Sequence, residues 1–227
     1  MNDIILDFYK TLIYDDRYKM ILEGLWNTIL IALGSIFIGI VLGLLIAIFR
    51  DRYDKCGKGL IINKICTIYV DIIRGTPALL QLMIIYYVVF KSVSIDIVLV
   101  GILAFGLNSS AYVSEIIRAG INSIDVGQME AAKSLGFKYY QCMKYIILPQ
   151  AIKNVLPALG NEFITLIKET SVAGYIGIME LTKATDMIAS RTYNYFFPLI
   201  IAALIYLCLT MLLTKLLRKF ERKVSNA

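Results

Sequence analysis

Histidine is absent from the 227 residues, and cysteine occurs only at Cys56, Cys66, Cys142 and Cys208, with no CxxC spacing. A zinc or haem centre therefore lacks its usual ligands, and the thiols read as reduced, space-filling residues. Charge is scarce: 18% of the chain is charged against 59% apolar, and the mean hydropathy is +0.72. No GxxxxGK[ST] phosphate loop occurs and there is no room for a nucleotide-binding domain, so ATP hydrolysis by that route is excluded for this polypeptide. A cleavable leader is not expected either. The first twenty residues carry four aspartates and no apolar core with a cleavage site, leaving the first spanning helix as its own insertion signal.

What is abundant is long apolar sequence. A soluble domain of this size cannot bury all of it, whereas a bilayer needs about 20 such residues per helix. The first span is expected at 22 to 49, with Gly39 and Gly43 in GxxxG spacing, read as a packing feature. The second, about 62 to 90, is interrupted by Arg74-Gly75-Thr76-Pro77, where a kink or helix start is expected because proline removes a backbone donor. A third runs from about 96 to 117, a fourth lies between Val155 and Gly177 with charges inside it, and a fifth covers roughly 195 to 214. The polar stretch 118 to 153 suggests two short amphipathic helices separated at Gly136. The expectation is thus an all-α membrane protein of one domain with five spans.

The net charge of +6 falls in clusters between apolar runs, with no aromatic interleaving of the kind that binds nucleic acid. It reads as topology. Segments 50 to 64, 118 to 153 and 215 to 223 hold five Lys or Arg each, more than twice the number in the alternate segments 1 to 21, 91 to 95 and 168 to 192. Because cationic loops stay in the cytoplasm, 118 to 153 and the tail 215 to 227 are expected inside, and the N-terminal segment 1 to 21 outside.

Within that cytoplasmic segment stand Glu130-Ala131-Ala132, three residues, Gly136, nine residues, then Ile146-Ile147-Leu148-Pro149. This resembles the EAA loop of bacterial ATP-binding cassette (ABC) importer permeases at every defining position. The run Ala111-Tyr112 through Glu115, Arg118 and Gly120-Ile121 is similar to the polar amino acid branch, as are Arg74 to Pro77 with Gln81, and Leu156 to Phe163. Ala119 departs from the glycine usual there. The resemblance implies a type I importer transmembrane domain in the bacterial cell membrane. Its coupling helix, with Glu130, Ala131, Ala132, Gly136, Leu148 and Pro149, would dock on a separate ABC ATPase subunit that binds ATP and magnesium. It also implies an extracytoplasmic amino acid-binding protein and a second permease subunit, either identical or homologous. No cofactor is expected in this chain. The alternative for the loop, an amphipathic helix on the membrane surface, would need no fixed Gly and Leu-Pro positions.

Ionisable groups in a spanning helix are costly and usually face a cavity or a partner. Glu162 and Glu169, seven apart, share one helical face about 20° out of register, and Lys168 projects to one side. Two carboxylates and an ammonium suit a zwitterion. Candidate substrate contacts are Glu162, Lys168 and Glu169, aided by Asn108, Ser109 and Tyr112 of the third span and by the hydroxyls of Thr170 and Ser171. The alternative for Lys168 and Glu169 is an outer helix end, where they reach into headgroups or pair across the dimer. Glu115 and Arg118, three apart, are placed for an intrahelical ion pair. A secondary transporter would also put charges near the midplane, but such folds show duplicated halves and none is visible. A membrane scaffold would leave the EAA pattern without purpose.

Overall fold

The structure, a computed structural model, describes residues 2–225. Residues 1, 226 and 227 of the two terminal segments lie outside the described residues, as do the side chains of residues 2–6, 56, 224 and 225. Among the described residues there is no strand; ten α-helices follow one another. Helix α1 spans Asn2–Leu12 and a 3-10 turn at Tyr14–Asp16 leads into α2, Arg17–Cys56. Helices α3, Leu60–Gly75, and α4, Ala78–Ile84, follow, α4 passing into a π turn at Ile85–Val89. Helix α5 covers Ile97–Asn122, α6 Val126–Ser134, α7 Tyr139–Cys142 and α8 Leu148–Glu169. Helices α9, Leu181–Thr192, and α10, Phe196–Ser225, complete the chain.

Among the described residues three helices are long and apolar enough to cross a membrane: α2, α5 and α10. The pair α3 and α4 qualifies only as a broken span, bent by 110°. The break falls at the expected proline. Thr76, held extended at φ −125° and ψ 148° as a residue before proline prefers, ends α3, and Pro77 opens α4. Helix α8 is a continuous helix of 22 residues, too polar along its length to join that set, and the 3-10 turn Thr170–Ile176 carries the chain on from it. The fifth expected span is longer than its apolar run, because the basic tail continues α10 to Ser225.

Helices α2 and α5 form the central pair, and glycine sets their separation. A Cβ on Gly39 would lie 2.8 Å from Ser109 Oγ, and one on Gly43 would lie 2.7 Å from Val113 Cγ1. The GxxxG spacing therefore serves packing within this chain. Against that pair sits one apolar core containing Ile31, Leu82, Phe105, Leu166, Ile167 and Ile178, drawn from α2, α4, α5, α8 and the segment before α9. A second core fills the end of the bundle that carries the EAA sequence, joining Ala47, Val113 and Ile117 to Met129, Ala132, Ile147 and Val155.

The segment 118 to 153 departs from two separate short helices. Helix α6 ends as expected, with Gly136 at φ +86° permitting the left-handed turn. Beyond it α7 does not stand alone: a π turn at Met143–Ile147 joins it to α8, with Pro149 in the first turn of that helix, where a missing N–H costs nothing.

Candidate functional site

Helix α8 presents a polar face that its apolar surroundings make conspicuous. Asn161 and Lys168 are exposed, and Glu162 and Glu169 are half-buried. Glu162 Oε1 accepts a hydrogen bond from Ser109 Oγ at 2.9 Å, so the fully buried serine of α5 holds the carboxylate. Among the described residues neither Lys168 nor Glu169 forms an ion pair. Both thus remain open toward whatever covers this face.

The other sequence-derived candidates are distributed elsewhere. Asn108 Nδ2 donates to Gln81 Oε1 at 2.8 Å, and Gln81 Nε2 donates to the Ile73 carbonyl and the Thr76 hydroxyl at 2.8 and 2.7 Å. Asn108 is therefore part of a lock on the bend between α3 and α4. Tyr112, one turn further along α5, lies under the Arg74 guanidinium, 5.6 Å from ring centre to carbon. Thr170 is buried and returns its hydroxyl to the Ile167 carbonyl at 2.8 Å. Ser171 lines a cavity of about 590 Å³ with Glu180, Lys183 and Asp186. Among the described residues, Ser109 with Glu162 is the one pair of the eight candidates joined by a hydrogen bond.

Gln81, which the sequence marks only as a member of the motif that begins at Arg74, is the centre of the bend. It is 9% exposed and its amide satisfies backbone groups that the break at Pro77 strands. Replacing it with leucine, of similar size, removes those bonds and leaves the Asn108 amide without its acceptor. We expect Gln81→Leu to cost about 2–3 kcal/mol, read as a lower thermal midpoint of the detergent-purified protein. An unchanged midpoint would mean that the bend holds itself.

At the EAA end, Glu115 and Arg118 do pair, at 3.3 Å, but the pair belongs to a wider cluster. Glu115 also meets Arg50 of α2 and, at 3.9 Å, Arg74 of α3; Arg118 reaches Asp54 of α2 at 2.7 Å. Three helices are fastened there. Close by, the buried Asp51 takes the Tyr139 hydroxyl at 2.6 Å and Lys55 Nζ at 2.9 Å, tying α2 to α7. Helix α6 itself buries Met129 and Ala132 and presents Glu130 and Ala131 outward. Gly136 is exposed, and its neighbour Leu135 is 79% exposed. Leu148 and Pro149 lie at the start of α8, half-buried and exposed respectively.

Long apolar helices, a broken span and a partly exposed polar strip on α8 define a multi-pass membrane transport permease. The chain belongs to the family of binding-protein-dependent transport system inner membrane components, which it matches over residues 39–226. An arginine transport system permease protein of Bacillus subtilis is 42% identical over 223 residues, 97% of this chain and 98% of the relative. A putative glutamine transport system permease protein of Rickettsia typhi is 40% identical over 226 residues, 99% of each. Among solved structures, an amino acid ABC transporter crystallised with histidines superposes with a TM-score of 0.83 at 43% identity, covering 91% of this chain and 94% of the other. The inward-facing MetNI methionine ABC transporter gives 0.78 at 20% identity, a likeness of fold alone.

Proposed function

We propose that this chain forms the translocation pathway of an ATP-driven importer of polar amino acids. The observation that carries the reading is the open polar strip of α8. Asn161, Lys168, Glu162 and Glu169 cannot face hydrocarbon without heavy cost, yet among the described residues Asn161 and Lys168 are exposed and the two glutamates only half-buried. A second permease subunit, identical or homologous, would close that strip into a pathway. Relatives whose names specify arginine and glutamine supply the substrate class. Carboxylates at Glu162 and Glu169 would meet an α-ammonium or a basic side chain, and Lys168 a carboxylate.

In this arrangement α2, the bent pair α3 and α4, α5, α8 and α10 are the five spans. The N-terminus lies outside and the EAA segment and basic tail inside, in the cell membrane. Helix α6 docks on a separate ATPase that binds ATP and magnesium, and a binding protein delivers the amino acid to the outer face. Closing and opening of the ATPase pair would then swing the α8 strip between two states of different affinity, as transport against a gradient requires.

The test is uptake into proteoliposomes containing this chain, its ATPase and its binding protein. Accumulation of a polar amino acid should need ATP and survive collapse of ion gradients. Uptake driven by a gradient alone would return the chain to the secondary transporters.

A further inference from the structure

At the end of the bundle where α2 and α10 begin, a cavity of about 510 Å³ is lined by Tyr9, Lys10, Tyr14, Arg17, Arg191 and Thr192. Its lining holds three cations and no acid. Lys10 and Arg191 form no ion pair among the described residues. Arg17 is only 8% exposed, and although its Nη1 donates to the Lys10 carbonyl at 2.5 Å and its Nη2 lies 3.6 Å from Asp15, its Nε is buried with no acceptor. An orphaned guanidinium donor in a cationic pocket calls for an anion.

The anion must reach the pocket at the headgroup level of a membrane. Helix α1 lies against the ends of α9 and α10, held by Asn194 on Asp7 at 3.0 Å and by Phe8 edge-on to Phe197. Tyr9 and Tyr14 are exposed beside the cavity, as aromatic residues at a membrane interface commonly are. A second cavity, about 340 Å³, is lined by Leu25 of α2 and by Leu204, Ile205, Cys208, Leu209 and Leu212 of α10. Arg17 and Leu25, which line the two cavities, lie on one face of α2 with a rise of about 12 Å between them, the buried Ile21 standing midway against Leu181 and Ile188. A cationic pocket thus stands above an apolar groove on a single helix face.

We propose that these two cavities together hold one anionic phospholipid, its phosphate against Arg17, Lys10 and Arg191 and an acyl chain in the groove between α2 and α10. The guanidinium fork supplies paired donors to phosphate oxygens, and the groove excludes anything polar. The site is independent of the amino acid pathway on α8.

The test is native mass spectrometry on the complex after reconstitution into phosphatidylcholine vesicles carrying a minor fraction of phosphatidylglycerol. The wild type should keep one phosphatidylglycerol through delipidation, in preference to the more abundant phosphatidylcholine. The double variant Lys10→Gln with Arg191→Gln, which leaves the buried Arg17 and the fold in place, should lower that retention by about tenfold. Cys208→Trp, which fills the groove, should lower it as well, whereas Lys19→Gln, an exposed cation already paired with Asp16, should not. Equal retention of phosphatidylcholine, or retention indifferent to the double variant, overturns the proposal. So does displacement of the lipid by inorganic phosphate, which would mark a site for a free anion.

Discussion

Glu162→Gln is expected to cut amino acid uptake at least tenfold while the complex assembles as before. The amide has the size of the carboxylate, and its oxygen can still accept from Ser109 Oγ, the bond of 2.9 Å that holds the side chain. The helix and its packing are therefore retained. What disappears is one negative charge on the open strip of α8. A charge-assisted bond from an ammonium to that carboxylate is worth about 1.5–3 kcal/mol, which corresponds to about ten- to a hundredfold in affinity. The measurement is initial uptake rate over a range of amino acid concentrations, with co-purification of the ATPase as the control for assembly. Uptake equal to wild type would take Glu162 out of the pathway and leave its bond to Ser109 as a packing feature.

Ala131→Trp is expected to abolish both capture of the ATPase and uptake. Ala131 is exposed on α6, whereas its neighbour Ala132 is buried against the second core, so an indole at position 131 projects outward and leaves the helix seated. The proposed docking seats this face of α6 closely in the ATPase, where an indole in place of a methyl group overpacks the contact at a cost of about 1–3 kcal/mol. Ala132→Trp would not serve, since it would break the core beneath α6. Pull-down of the ATPase from detergent and ATP-dependent uptake in vesicles are the two measurements. If both persist, α6 is not the knob that the motor grips.

Local features were legible in the sequence and distant partnerships were not. Pro77 announced the bend, Gly136 the end of α6, and the spacing of Gly39 and Gly43 the close approach of a helix, because each of these is a property of the backbone at that residue. The ion pair of Glu115 with Arg118 was legible for the same reason, three residues apart on one helix. Its extension to Arg50 and Arg74 was not, since those contacts cross 65 and 41 positions and depend on how α2 and α3 are laid against α5.

The candidate site divided along the same line. Asn108 and Tyr112, four apart on α5, share the face turned to the bent pair α3 and α4, whereas Ser109, about 100° round the helix from Asn108, faces α8. Asn108 turns to Gln81, Ser109 to Glu162 and Tyr112 to Arg74. Glu180, fully buried, was missed altogether. It caps α9 by accepting from the backbone N–H groups of Thr182 and Lys183 and takes the Tyr206 hydroxyl at 3.2 Å. An acidic residue just before a helical run is a signal that was there to be used.

The hydroxyl of Tyr139 on the buried Asp51 joins the far side of the EAA segment to the longest helix in the molecule. With 40 residues, α2 is a shaft of about 60 Å. Near its other end Gly24 abuts the Glu180 carbonyl, leaving no room for a methyl group. A shaft gripped at both extremities and along its length has little backlash, so a small tilt imposed at one end arrives at the other undiminished and without any segment melting. Motion of this permease should therefore be sought as rigid rotation of α2 with α5, a change in distances between labels, with amide exchange in those helices left as slow as at rest.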